Sequence, residues 1–457
     1  MPNLNTPHEH IKDPAYEEVA AILRGYVEKN PLTKFSVYVD NGELRPEKVT
    51  NNEGLSGEIT GQYAKNVKFE CDEAELNVFH VTGKDTNYLI DGLDFSLKGH
   101  GCNDFSGVGA AIGAEDGAKL TIRNARVVTE GAVRPALRTS GGAEVHAYDC
   151  EFRTLGGGLT PETFTPPEDT GVWFPPAPLN LEGDCRATLT MNGGKTYYHR
   201  CTVVCDKWGA LATDCALGFV HLEANDCKVI SEGNGYITYS DDDTHVILNN
   251  CDLKTATVCG IQAGESDMTF NGCTAECGRN FVMIHEVLND YQTIGLCRIV
   301  DCDIKCGGPV VLIREASCDL YIAGCELHPE NGELVHMVVS DDANVTKLRP
   351  DEISFGAQVT FDRMKAEGDV INDITERDII LKLTETELRG AMKNVVLQLY
   401  NVSKWTATAD SDVVLVGPVA DGAIDALEGV VITAKAGEGC NLSGSISLAS
   451  GGVLNIQ

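Results

Sequence analysis

The sequence predicts an all-β fold, a right-handed parallel β-helix with an N-terminal helical cap and loop insertions. Three observations predict it. A short motif centred on cysteine recurs through the middle of the chain, as at 199–203, 225–229, 249–253, 271–275, 300–304 and 323–327. The cysteines of these copies, Cys201 to Cys325, are 26, 24, 22, 29 and 23 residues apart, a period in the low twenties that marks stacked repeats. Between the copies lie short alternating runs such as 245–248 and 319–322, set off by Gly, Asn and Asp, with no helical periodicity.

Taken in chain order, residues 1–35 hold an amphipathic helical stretch, Pro14 to Asn30, suited to covering the first coil. Residues 36–337 form the main β-helix. Like residues of successive coils stack at roughly 4.8 Å, so Cys150, Cys201, Cys227, Cys251, Cys273, Cys302 and Cys325 are expected as one buried, reduced column, with Ala125 in the same slot earlier. A second interior column is read as Ile112, Leu137, Leu181, Leu211, Ile237, Ile261, Met283 and Leu312. Residues 155–178 interrupt the period with a Pro-rich insertion carrying Phe164, Trp173 and Phe174. Residues 338–385 are more charged and read as an insertion or irregular segment, and β patterning resumes over 386–457.

Composition narrows the partners. The 457 residues carry 36 Lys and Arg against 68 Asp and Glu, a net charge of -32, which repels nucleic acid and anionic membranes. No apolar run reaches the roughly 18 residues needed to span a bilayer. Met1 to Pro14 lacks the basic start and apolar run of a secretory signal, so a cytoplasmic location is expected. The 18 cysteines fit buried thiols better than disulfides, and CxxC zinc spacing is missing.

The repeats at 91–327 resemble right-handed parallel β-helix proteins of the pectate-lyase-like superfamily. The tail at 395–457, with Leu399, Asn401, Ser403 and Trp405, is similar to late coils of adhesin-like members. The resemblance implies carbohydrate lyases, hydrolases, epimerases or isomerases, or non-catalytic adhesins. No family catalytic motif is present to carry residues across.

Chemistry is expected on one outer face, because the inside of such a coil is filled. Outward positions on either side of the leucine column are read as Ala136, Asn180, Ala210, Tyr236 and Gly260, and as Arg138, Glu182, Ala212, Thr238 and Gln262. Beyond them come Tyr239, His285, Asp184 and Asp214. The two aspartates are read as neighbours on successive coils that divide into acid and base, against the alternative that they cap turns. The insertion is read as a lid over this groove, with Trp173 and, from a hairpin at Met191–Lys195, Tyr197 and Tyr198 as contacts; the alternative is that its aromatics merely pin the loop. Lys195, His221, His245 and Asp267 form a further rank, either bases and ligands or an exposed ladder. The leading expectation is proton transfer, by elimination or isomerisation, on a sugar-like or other polyoxygenated small molecule. Tyr236, Tyr239, His285 or the aspartates exchange protons in this scheme, and Arg138 orients an anionic group. A glycoside hydrolase with a carboxylate pair and a non-catalytic solenoid are the rivals. No cofactor is expected, with calcium at Asp241–Asp243 a minor alternative; the partner is a small molecule or oligosaccharide, and homo-oligomerisation is left open.

Overall fold

The structure is a computed structural model that describes residues 21, 24–214, 218–285, 294–341 and 356–457. It is nearly all β, and its strands stack in parallel, coil on coil, as a β-solenoid. The chain forms two compact units, residues 1–257 and 258–457.

In the first unit three stacks of strands run side by side. The first joins Phe35–Asp40, Asn77–Thr82, Ile112–Glu115, Leu137–Thr139, Arg186–Met191, Trp208–Asp214 and Gly235–Ser240. The second runs from Tyr63–Cys71 through Asn87–Lys98 and Lys119–Glu130 to Glu144–Tyr148, Lys195–His199, Val220–Asn225 and Thr244–Asn249. The third carries the shorter strands Glu151–Leu155, Thr202–Cys205, Lys228–Ser231 and Asp252–Thr255.

The residue before each cysteine explains the repeated motif. Asp149, Arg200, Asp226 and Asn250 all have φ between 53° and 55°, so the chain turns one corner per coil through a left-handed residue. Asn and Asp tolerate that conformation best among residues with a side chain. Arg200, which does not, is clamped by Asp149 through two hydrogen bonds of 2.8 Å. After the corner the cysteine turns inward: Cys150, Cys201, Cys227 and Cys251 are buried, and the Cys201 amide donates to the Cys227 sulfur at 3.3 Å. Inside the same unit, Thr139, Thr190 and Thr196 satisfy one another in a chain of hydroxyl hydrogen bonds of 2.8 and 2.9 Å.

The second unit repeats this logic. Cys273, Cys302 and Cys325 are buried, and the Cys302 amide donates to the Cys325 sulfur at 3.4 Å. None of the described cysteines is in a disulfide. Within the stretch read as a charged insertion, residues 342–355 lie outside the described residues. Ala357–Asp362, Asp369–Asn372 and Ile379–Thr384 are strands of the unit's parallel stacks. A Gly444–Ser447 and Val453–Ile456 antiparallel pair closes the described chain.

Three details of register differ from the expectation. In the second unit Ile261, Met283 and Leu312 pair in one column, but Leu312 is half-buried between buried Val311 and Ile313, so that column faces outward and the one holding Gly260 and Gln262 faces inward. Leu137 and Leu211 both pair with Thr188, and Leu181 lies in no strand, because the excursion after Leu155 continues to Asp184 and the next strand opens at Arg186. Leu211 pairs with Thr238 rather than standing beside Ile237, a one-residue slip that exchanges the two faces of a strand. Of the expected capping helix, residues 24–29 are described and helical. Among the described residues no helix is long and apolar enough to cross a membrane.

Candidate functional site

The register scatters much of the expected groove. Asn180 is an exposed left-handed residue in the loop, and Glu182 is exposed with its carboxylate on Lys207 at 3.0 Å. Asp184 precedes its strand and Asp214 pairs with Met191, so the two aspartates are not equivalent. Asp184 is a buried cap: its carboxylate accepts from the Gly157 and Leu159 amides at 2.9 and 2.7 Å. Residues 191–194 are a corner between two parallel stacks and not a hairpin, which leaves Tyr198 fully buried beside Phe152 and Tyr197 stacked on His146 at 4.5 Å. Trp173 packs on Ala132 and Val133 with Leu159, Phe164 and Phe174 around it, pinning the loop to the coil. Lys195, His221 and His245 do fall in one register rank of the first unit. In the second unit His285 is buried, and Gln262 donates to the Ser266 and Leu296 carbonyls.

Tyr236 is fully buried, with Tyr239 5.6 Å from it. Burial pushes its hydroxyl well above the usual range, and the cation that opposes this is Arg186, not Arg138. Arg186 is itself ion-paired to Asp104, lies 4.0 Å from Asp214 and sits over the Trp208 ring. Arg138 is equally committed. It is buried, donates to the Asp104 and Phe105 carbonyls through Nε and Nη2, and is ion-paired through Nη1 to Glu115. It therefore has its acceptors already, and its removal uncovers them.

Arg138 leads instead to a cavity of about 660 Å³ in the first unit. Its floor is one outward column of the first stack: Tyr38 pairs with His80, His80 with Gly113, and Gly113 with Arg138. Parallel strands repeat at roughly 4.8 Å, so these groups stand one above another. Gly113, between His80 and Arg138 in this column, contributes no side chain. Glu115 lies two residues beyond Gly113, hence on the same face. Val27 and Leu32, at the end of the N-terminal stretch, line another part of it, with Arg24 and Lys48 bringing positive charge and Glu28 and Asp116 negative charge to the lining.

The electrostatics divide these groups. His80 is almost fully buried; its Nε2 faces Glu115 Oε2 at 3.8 Å, and its Nδ1 has no hydrogen-bond partner. Burial lowers its pKa against the pull of Glu115, so the ring is neutral near pH 7. Burial favours the neutral form of Glu115, but Arg138 and His80 outweigh it and hold the carboxyl below its usual range. Burial, followed by Asp40 and Glu115, raises Tyr38, which keeps its proton. The ring of Tyr38 lies 4.8 Å from His80 and that of Phe35 5.3 Å, so the imidazole is held on two sides. A neutral imidazole, an ionised carboxylate and a protonated phenol therefore face one space.

Sequence reasoning missed Tyr38, His80 and Glu115 because these coils precede the first cysteine motif. The usable signal was the alternation in Asn77–Thr82, where Phe79 and Val81 face inward and leave His80 outward. Among the described residues, the group placed to hold a metal is Asp303, Glu326 and His328, at the surface of the second unit. No protein-family model matches the chain, and no curated protein or solved structure matches it either.

Proposed function

We propose that the chain is a right-handed β-helix enzyme of the pectate-lyase-like kind, with an acid–base site for a sugar-like or other polyoxygenated small molecule in the first unit's cavity. The observation that carries this reading is that Tyr38, His80 and Arg138, from one column of the first stack, line about 660 Å³ together with Glu115. Neutral His80 takes a carbon-bound proton next to a carbonyl: the C–H bond breaks, an N–H bond forms, and the electron pair moves into an enol. Tyr38 gives its proton to the carbonyl oxygen. Returning the proton from His80 to the former carbonyl carbon, while the hydroxyl on the other enol carbon gives its proton back to the Tyr38 phenolate and becomes the new carbonyl, completes an isomerisation; in an elimination, protonated His80 gives the proton to the departing β-oxygen and the enol hydroxyl returns its proton to Tyr38 as the carbonyl re-forms.

The test is proton exchange. The protein is incubated with a panel of aldoses, ketoses and uronates in deuterated water, and loss of carbon-bound protons is followed by NMR. Exchange is expected for at least one sugar, with His80→Gln slowing it about a hundredfold. Equal exchange in His80→Gln, or none with any compound, removes the reading.

A further inference from the structure

Resting on the reading of the first unit's cavity as the functional site, we infer that residues 24–32 are a wall of that cavity that opens, and that the insertion at 155–178 is its clasp. The wall supplies Val27, Glu28, Asn30 and Leu32 to the lining, whereas the insertion supplies no residue. Its attachment is unlike that of the coils. No residue from 24 to 34 is buried, while Phe35, Val37 and Val39 of the strand that follows are. Residues 31–34 form neither helix nor strand, which gives the wall a joint. A segment with few buried apolar contacts opens at a much lower free energy than the strands beside it.

What holds the wall is a small set of contacts with two other segments. Asn30 Nδ2 donates to the Asp169 carbonyl at 2.6 Å, and Lys29 is ion-paired to the Asp169 carboxylate at 2.8 Å. The Tyr26 ring stacks on Phe105 with 6.3 Å between centroids, and Asn103 Nδ2 donates to the Tyr26 carbonyl at 3.4 Å. The insertion meets this place a second time at Gly171, where a Cβ would stand 2.8 Å from the Phe105 ring. Both that approach and a φ of 81° call for glycine there.

The clasp itself is rigid. Thr170 Oγ1 donates to the Pro167 carbonyl at 2.7 Å and accepts from Trp173 Nε1 at 2.9 Å, and Trp173 packs on Ala132 and Val133. Phe105 is fixed from the cavity side, because its carbonyl accepts from Arg138 Nη2. Between two anchored segments, the wall is the part that gives.

Amide hydrogen exchange of the full-length protein, read by mass spectrometry without any ligand, tests this. In Asn30→Ala, peptides covering 24–30 are expected to exchange at least about tenfold faster than in wild type, with Arg186–Met191 and Val220–Asn225 unchanged. Gly171→Ala is expected to give the same local acceleration, although Gly171 contributes nothing to the lining. No local acceleration in Asn30→Ala, or acceleration spread equally through the first unit, overturns the wall; none in Gly171→Ala overturns the clasp. A second readout follows sugar proton exchange in Gly171→Ala, where KM is expected to shift about tenfold with kcat within about threefold of wild type. A fall in kcat at unchanged KM would contradict a part that only admits and holds the ligand. Because the hydrogen-exchange experiment needs no sugar, its failure and that of the acid–base reading are read apart.

Discussion

The outward face of the first unit's early coils and that of the second unit's late coils are built on the same plan and differ in what lies over them. In the late coils, Glu333–Val338 and Asp369–Asn372, which occupy the corresponding stack, mix buried with half-exposed residues such as His336 and Ile371, and the neighbouring stack presents Gln358 and Lys382 in the same way. In the early coils, Asn77–Thr82 and Leu137–Thr139 are buried on both faces, because chain from elsewhere in that unit lies against them. The interior is the same device in both: aliphatic columns and threonines or cysteines at fixed slots. A covered outer face, rather than a different core, is what converts a solenoid strand into a place where His80, Glu115 and Arg138 have perturbed chemistry.

The comparison is broken most severely through the shared interior. Cys251→Asp places a charge in the buried column and is expected to cost more than about 3 kcal/mol. Cys251→Ser, which keeps the size, is expected to leave a cooperative melt; an aspartate variant that melts like wild type would show the column to be open to water.

The next effect separates the two outer faces. Arg138→Ala strands the Glu115 carboxylate and two carbonyls, an expected loss of about 3 kcal/mol. Lys382→Ala, on the half-exposed face of the late coils, is expected within about 0.5 kcal/mol of wild type. Chemical denaturation of both variants checks this, and equal losses would erase the distinction.

A pH series sharpens it. His80 and Glu115 both have folded pKa values below their unfolded ones. Each contribution is therefore fully present above the unfolded value, about 6.5 for His and about 4.3 for Glu, and is lost as pH falls through the folded value. Melting from pH 8 to pH 4 should show the wild type losing stability through the histidine window first, and His80→Gln should flatten that part of the curve. The smallest effect is expected from Gly113→Ala, neutral or stabilising by up to about 1 kcal/mol, since its Cβ would meet His80 Nδ1 at 3.5 Å in ordinary contact.

The solenoid was legible because its cause is periodic: an Asn, Asp or Gly corner followed by cysteine writes one letter per coil. The columns at Ile112, Leu137 and Leu211 followed from it. The site was less legible, for two physical reasons. The excursion after Leu155 has no repeat of its own, so where the coil resumes, at Arg186, cannot be counted, and Leu181, Asn180 and Glu182 were set on a strand they do not occupy. A one-residue slip at Ile237 then turned a face over. Arg138, singled out from the sequence, lines the cavity, but its partner Glu115 lies 23 residues earlier and carries no motif.

The left-handed corner makes each coil an exchangeable part. Asp226 and Asn250 are successive corners in the same conformation, each followed by an inward cysteine. Excising 226–249 would join Asn225 to Asn250 and set one corner where another had been. A chain assembled from such cassettes can lengthen or shorten by whole coils without retraining its turns, and the early coils that frame His80 would be untouched by the edit.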